Sequence, residues 1–294
     1  MRRRPTYFCD MLTYINWDVN PVLIALGSIE IRWYGLMFAI GFLLGYWIVS
    51  KMFRHEGAPE KWLGTLLIIL VVCTVVGARL GHVFFYEWDY YSRHTDEILK
   101  IWEGGLASHG GAIANFIGLC LFSWIVAKKN PSWTIDKIVV PIALVGGLIR
   151  LGNLFNSEIY GSATDMPWGF VFVRNGETLP AHPTQLYEAL AYFALFGLLM
   201  YMYWKRDAEE RPWLLTGVFF LWTFAARFLI EFIKNPQEEW ERSMTLNMGQ
   251  WLSIPFIIAG VAMIVYALIR PRQKWTFPGK FAEELASSPS CKKK

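Results

Sequence analysis

Between residues 146 and 161, Arg150 closes an apolar run and is followed at three-residue intervals by Asn153 and Asn156. Gly146, Gly147, Gly152 and Gly161 surround them, with Glu158 close behind. An arginine in a hydrocarbon setting is costly and tends to mark function. It can snorkel to head groups or pair with a carboxylate as a structural bridge. It can also clamp two oxygens of a phosphate with its planar donors. Arg79 and Arg227 sit in apolar runs in the same way, and three such cations favour a site for a phosphate or phosphodiester. Asn153 and Asn156 fit either head-group contacts or the capping of a helix end.

His109 stands beside Gly110 and Gly111. Its imidazole can take a proton near neutral pH or serve as a structural hydrogen-bonding group. The two glycines permit close approach of a substrate or of a neighbouring helix. Gln185 and Glu188 lie one turn apart on one face of an expected helix that follows His182 and Pro183. Tyr34 and Gln250 add a hydroxyl and an amide near the starts of two other runs. A Ser108–His109 protease site is disfavoured, because adjacent helical residues point in different directions.

Hydrophobic residues make up 54% of the 294 and charged ones only 18%, below the roughly 25% usual in soluble domains. The chain therefore reads as an all-α polytopic membrane protein with seven transmembrane helices. The expected spans are 22–52, 62–85, 106–127, 134–153, 184–204, 213–233 and 247–269, each long enough for a hydrocarbon layer of about 30 Å. They divide the chain into an interfacial segment over 1–21, spans one to four over 22–153, a head segment over 154–183, spans five to seven over 184–269 and a tail over 270–294. The last fifteen or so residues read as a disordered tail. Alternating pieces of the head segment, such as 168–173, are compatible with short strands paired as a hairpin. The basic start, Arg2 to Arg4, is not followed by a small-residue cleavage site, so no removable signal is expected. Cys9, Cys73, Cys120 and Cys291 have no metal-ligand spacing. The net charge of +4 is spread over short clusters, which argues against nucleic acid.

With the amino terminus outside, the loops 51–61, 128–137 and 205–212 are internal and hold nine Lys or Arg, against five in 86–105, 154–183 and 234–246. The positive-inside rule thus predicts N-out, C-in. Trp62, Tyr86, Trp88, Trp102, Trp204, Trp213, Trp240 and Trp251 lie near span ends, as an aromatic belt requires. On this topology Tyr34, Arg79, His82, His109, Arg150, Asn153, Gln185, Glu188, Arg227, Glu231 and Gln250 all fall in the outer part of the membrane.

The ordered set of motifs resembles the bacterial prolipoprotein diacylglyceryl transferase family. The likeness rests on Trp33-Tyr34-Gly35-Leu36-Met37, on Gly77-Ala78-Arg79-Leu80-Gly81 and on Gly104-Gly105-Leu106 through His109-Gly110-Gly111. It continues with Gly147 to Gly161, His182-Pro183-Thr184-Gln185-Leu186-Tyr187-Glu188, Arg227 with Glu231-Phe232, and Met248-Gly249-Gln250-Trp251-Leu252-Ser253-Ile254-Pro255. It covers about residues 20–270. Thr223 departs from the pattern, since family members often carry a tyrosine one turn before the arginine of the sixth span.

The resemblance implies a multi-pass enzyme of the bacterial inner membrane with its active site facing the periplasm. It would move the diacylglyceryl group of phosphatidylglycerol to the lipobox cysteine of a prolipoprotein signal peptide and release glycerol 1-phosphate. By motif position His109, Arg150, Asn153, Gly161, Arg227 and Tyr34 match the family's important residues. The expected roles are His109, Arg150 and Arg227 in catalysis. Tyr34, Arg79, Gly110, Gly111, Asn153, Asn156, Glu158, Gly161, Gln185, Glu188 and Gln250 are expected to bind substrate, with Arg79 tuning the field or anchoring a helix. No metal and no cofactor are expected. The competing reading is a transporter or channel for an anionic solute, although no internal repeat with broken helices supports it.

Overall fold

The computed structural model describes residues 14–27, 29–101, 104–235 and 245–277. Tyr7, Phe8, Trp102, Trp240 and the tail beyond residue 277 lie outside the described residues. Among the described residues, seven helices are long and apolar enough to cross a membrane: Trp33–Glu56, Lys61–Phe85, Ser108–Ala127, Pro131–Phe155, Thr184–Lys205, Leu214–Ile233 and Met248–Ile269. The corresponding α-helical cores are α1 (Trp33–Glu56), α2 (Lys61–Phe85), α4 (Ser108–Leu121), α5 (Pro131–Phe155), α6 (Thr184–Lys205), α7 (Leu214–Ile230) and α8 (Met248–Ile269), and a short α3 (Trp88–Tyr91) follows α2. Side chains such as Leu43, Ile68, Ile125 and Ile258 are exposed along these helices, as a lipid-facing surface requires.

The first span starts later than the apolar run in the sequence. Residues Val22–Leu26 (β2) and Ile29–Arg32 (β3) pair as an antiparallel hairpin with Gly27 at φ 63°, and α1 begins at Trp33. The β-branched residues of this stretch suit a strand, and its backbone bonds are made across the hairpin. The head segment also differs from a local hairpin. Phe170–Phe172 (β4) pairs in parallel with Ile15–Trp17 (β1), and Phe170 bridges to Ala181.

The chain divides into two compact units. The first comprises Met1–Gly41, Leu144–Leu195 and Leu221–Ile258. Its head-segment core is Leu154, Phe170, Phe172 and Ala181, packed by Trp17, Tyr160 and Leu186. Trp17 donates its indole N–H to the Leu154 carbonyl at 2.9 Å, which ties β1 to the end of α5. Tyr160 stacks on Phe172 with centroids 4.5 Å apart and donates its hydroxyl to Glu177 at 2.7 Å. Burial, and then the Glu177 carboxylate, raise the Tyr160 pKa, so the phenol stays a neutral donor.

The second unit comprises Phe42–Ala143, Phe196–Phe220 and Ala259–Lys294. Here α2 and α4 cross on glycine. A Cβ at Gly81 would fall 2.6 Å from the Gly110 Cα, and Gly77 packs on Gly110 as well. The Gly77–Gly81 spacing gives the small-residue face that lets membrane helices approach closely. Asn115 donates to the Thr74 hydroxyl at 2.8 Å across the same contact.

A polar cluster joins α1, α5, α6 and α7. Glu56 pairs with buried Lys137 at 2.9 Å and accepts from Trp133 Nε1 at 2.6 Å and Tyr203 Oη at 2.7 Å. Asp136 accepts from the backbone N–H of Trp213 at 2.7 Å and of Thr216 at 2.8 Å, holding Trp213 at φ 71°. Residues 271–277 lie as a strap over this unit. The Gln273 N–H donates to Glu210, Trp275 donates to the Glu209 carbonyl, Lys129 donates to the Thr276 carbonyl, and Phe277 packs on Trp62 and Trp133.

The glycine crossing carries a direct test. Gly110→Val places a branched side chain against backbone that cannot yield, at a cost of about 1–3 kcal/mol. Its melting temperature in detergent should fall, while Gly64→Ala, on the same pair of helices but facing open space, should leave it unchanged. Equal melting temperatures for both variants would refute the dependence on this contact.

Candidate active site

The first unit brings most of the sequence-selected polar residues together. Arg150, near the end of α5, forms an ion pair through Nε with Glu188 of α6 and donates through Nη1 to Asn153 Oδ1 at 3.3 Å. Asn153 donates in turn to Glu158 Oε2 at 3.2 Å, and Asn156 donates to Glu158 Oε1 at 2.9 Å. Gln185 donates to the Glu158 carbonyl. The three-residue spacing of Arg150, Asn153 and Asn156 thus becomes a chain of donors that ends on one carboxylate.

Glu188 has a second cationic partner that sequence reasoning did not select. Lys234 Nζ lies 2.6 Å from Glu188 Oε1 and 3.7 Å from Glu231 Oε2, and its side chain is 8% exposed. The Glu188 side chain is only 2% exposed, whereas that of Arg150 is 23% exposed. Buried carboxylates and ammonium groups are tolerated when paired. The less buried Arg150 keeps donors beyond those it gives to Glu188 and Asn153.

Positioning falls to the loop after α5. Ser157 and Ile159 both have left-handed backbone, at φ 57° and 59°, which is strained for a β-branched residue. Three side chains hold this conformation: Asn175 donates to the Ser157 carbonyl at 2.7 Å, Thr184 to the Ile159 carbonyl at 2.8 Å, and Gln185 to the carbonyl of Glu158 between them. Gly161 then passes against the chain after α7. A Cβ there would meet the Ile233 carbonyl and lie 2.8 Å from the Thr184 methyl. Asn235 donates to the Gly161 carbonyl at 3.0 Å and Ser162 N–H to Ile233 at 2.9 Å. This non-local pairing brings Lys234 to Glu188, and no local pattern announces it.

Tyr34 packs its ring on Gly152, where a Cβ would fall 2.9 Å from it. Gln250 spends its amide on the start of α8. It accepts from Asn247 N–H at 3.1 Å and donates to the Phe228 carbonyl at 3.4 Å, while Asn247 Oδ1 accepts from Gln250 N–H at 2.9 Å. That reciprocal pair is a capping box. Arg227 lies in the last turn of α7, and its Nε is buried without a partner. Tyr192 of α6, also missed in the sequence, lies within electrostatic reach of Glu188, Arg150 and Arg227.

Arg79, His109, Gly110 and Gly111 belong to the second unit. Arg79 is buried and donates to four backbone carbonyls, those of Ile98 (2.8 Å), Gly104 (2.8 Å), Gly105 (3.4 Å) and Glu97 (2.7 Å), with its guanidinium over the Tyr91 ring. It anchors the loop that leads into α4. Gly110 is taken up by the helix crossing, and Gly111 packs on Thr74 and Ala78. His109, in the first turn of α4, is exposed, with its ring 5.4 Å from Phe85 and 5.5 Å from Tyr86. No group of three His, Cys, Asp or Glu side chains among the described residues could hold a metal ion.

A sequence profile described as prolipoprotein diacylglyceryl transferase matches residues 21–266. The chain belongs to this family. It is 48% identical over 255 residues to the phosphatidylglycerol–prolipoprotein diacylglyceryl transferase of Chloroherpeton thalassium, covering 87% of this chain and 95% of the relative. It is also 48% identical to the protein of that name from Porphyromonas gingivalis over 272 residues, covering 88% and 96%. The Bacteroides fragilis protein of that name is 40% identical over 272 residues, covering 87% and 96%. The family match runs through both units and contains every residue of the Arg150–Glu188–Lys234 network.

That network predicts a stability effect separate from chemistry. Glu188→Gln removes the negative charge facing two cations and should cost on the order of 3–5 kcal/mol. The check is thermal unfolding in detergent, with Glu177→Gln on the head segment as control. A Glu188→Gln protein that melts with the native one would show that the cations do not need this carboxylate.

Proposed function

We propose that this protein transfers the diacylglyceryl group of phosphatidylglycerol to the lipobox cysteine thiol of a prolipoprotein signal peptide. The observation that carries this reading is the likeness to transferases of that name over most of the chain. The geometry of the first unit supports it, because Arg150 and Arg227 both lie within electrostatic reach of Tyr192 and the buried Arg227 Nε has no hydrogen-bond partner. The reaction forms a bond between the cysteine sulfur and the diacylglyceryl carbon that carried the phosphate ester. The carbon–oxygen bond breaks, its electron pair leaves with the phosphate, and glycerol 1-phosphate is released.

In this reading, Arg150 and Arg227 bind the phosphodiester and stabilise the charge that gathers on the leaving phosphate. Glu188, itself paired with Lys234, holds Arg150, and Asn153, Asn156 and Glu158 fix the helix end from which it projects. The thiol proton goes to His109, which the first turn of α4 presents on an exposed ring. Positive charge near the acceptor favours its thiolate form. Arg79 acts through the loop that it anchors. The excess of Lys and Arg in 51–61, 128–137 and 205–212 supports an orientation with the amino terminus outside and the carboxy terminus inside. It would place the Arg150 end of α5 on the periplasmic side of the bacterial inner membrane.

A transfer assay with labelled phosphatidylglycerol and a synthetic lipobox peptide tests the proposal. Wild-type protein should give a lipid-modified peptide from phosphatidylglycerol and far less from phosphatidylethanolamine. Solute flux without lipid consumption would overturn it in favour of transport. Arg150→Ala and Arg227→Ala should each lower turnover by about 10²–10³-fold, the scale for losing one transition-state donor. His109→Gln at a near-native rate would remove the proton-accepting role.

A further inference from the structure

The faces of α5 and α6 that meet at the Arg150–Glu188 pair continue one turn deeper, at Gly146 and Tyr192. The Tyr192 ring lies against Gly146, with its Cδ2 3.3 Å from where a Cβ would stand. A Cβ at 146 would press on the ring by a few tenths of an ångström, so the glycine lets the phenol sit close against α5. Its hydroxyl lies within hydrogen-bonding reach of Arg150 and in the field of Arg227. A phenol oxygen that accepts from a guanidinium still has its own O–H to donate.

Helix α7 comes alongside at this level. The Trp222 indole N–H donates to the Ala191 carbonyl at 2.9 Å, which ties α7 to α6 beside Tyr192. Thr223 and Arg227 are one turn apart on α7. The Thr223 hydroxyl and the Arg227 Nε are both buried and both lack a hydrogen-bond partner. A threonine inside a helix ordinarily satisfies its hydroxyl on the carbonyl four residues earlier, and Thr74 of α2 does so at 2.7 Å. Thr223 does not. Leaving such groups unpaired costs free energy, and a polar ligand that bonds them recovers it.

We infer that the hydroxyls of Tyr192 and Thr223 are specificity-determining contacts for the hydroxyl groups of the substrate's glycerol head group, beside the phosphate held by Arg150 and Arg227. This inference rests on the reading of the chain as a diacylglyceryl transferase. Hydroxyl side chains can donate to and accept from a polyol, whereas guanidinium groups can only donate. A site built to bond a substrate hydroxyl rejects the analogue that lacks it, because its own buried groups are then left unpaired. An ammonium head group is disfavoured separately by the two cations.

The test compares phosphatidylglycerol with phosphatidylethanol, which keeps the phosphodiester and has no head-group hydroxyl. The full-length protein transfers each lipid to a lipobox peptide, and kcat/KM is measured for both. Wild-type protein should prefer phosphatidylglycerol by tenfold or more, on the order of what one buried hydrogen bond supplies. Tyr192→Phe keeps the ring on Gly146, and Thr223→Val keeps the shape of the side chain. Each should cut the preference several-fold, and the double variant should bring the two lipids close to parity. Thr223→Ser should retain the preference. A double variant that discriminates within twofold of wild type, or a wild type that uses both lipids equally, overturns the assignment and leaves the transferase reading standing. A wild type that transfers from neither lipid overturns the transferase reading and this assignment with it.

Discussion

The first unit depends on one buried negative charge. Glu188 lies in the first turns of α6 and faces cations from two other segments, Arg150 of α5 and Lys234 after α7. In a low-dielectric surrounding, two such cations repel and would otherwise be expelled or neutralised. The carboxylate lets both stay. Much of the neighbouring structure serves that arrangement: the strained turn at Ser157 and Ile159, the Gly161 passage against Ile233 and the carbonyl contacts from Thr184 and Gln185 keep three segments in register around it. An electrostatic need thus explains backbone that would be poor in isolation.

Arginine plays a different part in the second unit. Arg79 looks like Arg150 in sequence, a lone cation in an apolar run. Its guanidinium is filled by four carbonyls, so it works as a bracket between residues 97–98 and 104–105. The difference comes from the residues downstream of each arginine. Arg150 is succeeded by side chains with their own acceptors, and Arg79 precedes a glycine-containing loop whose carbonyls turn inward. Glycine also serves a different end within each unit. Gly77, Gly81 and Gly110 make room for helices, while Gly161 makes room for a passing strand-like segment.

The seven spans were legible because a run of about twenty apolar residues has few alternatives. The motif residues from 150 to 158 were legible as a group because their spacing falls on one helix end. Less was readable where partners come from afar. The stretch from Val22 to Arg32 is apolar enough to pass as membrane helix, yet its β-branched residues pair across Gly27. Residues 168–173 alternate as a strand should and Phe170 does bridge to Ala181 nearby, but their strand partner is β1, some 155 positions earlier in register. Lys234 sits in a loop by composition, and only the pairing of Gly161 with Lys234 reveals its burial. Tyr192 reads as one more aromatic in an oily helix until Gly146 and the two arginines are placed around it.

The strap over residues 271–277 bears on the order of assembly. It clasps the connection between α4 and α5 through Lys129 and the connection between α6 and α7 through Glu209 and Glu210. Both connections leave the ribosome long before the strap does, since synthesis runs from the amino terminus. The aromatic seat formed by Trp62 and Trp133 must therefore wait, unfilled by Phe277, while α8 is threaded into the bilayer. Closure of that end of the second unit is a late event, and its timing is written into the position of seven residues after the last helix.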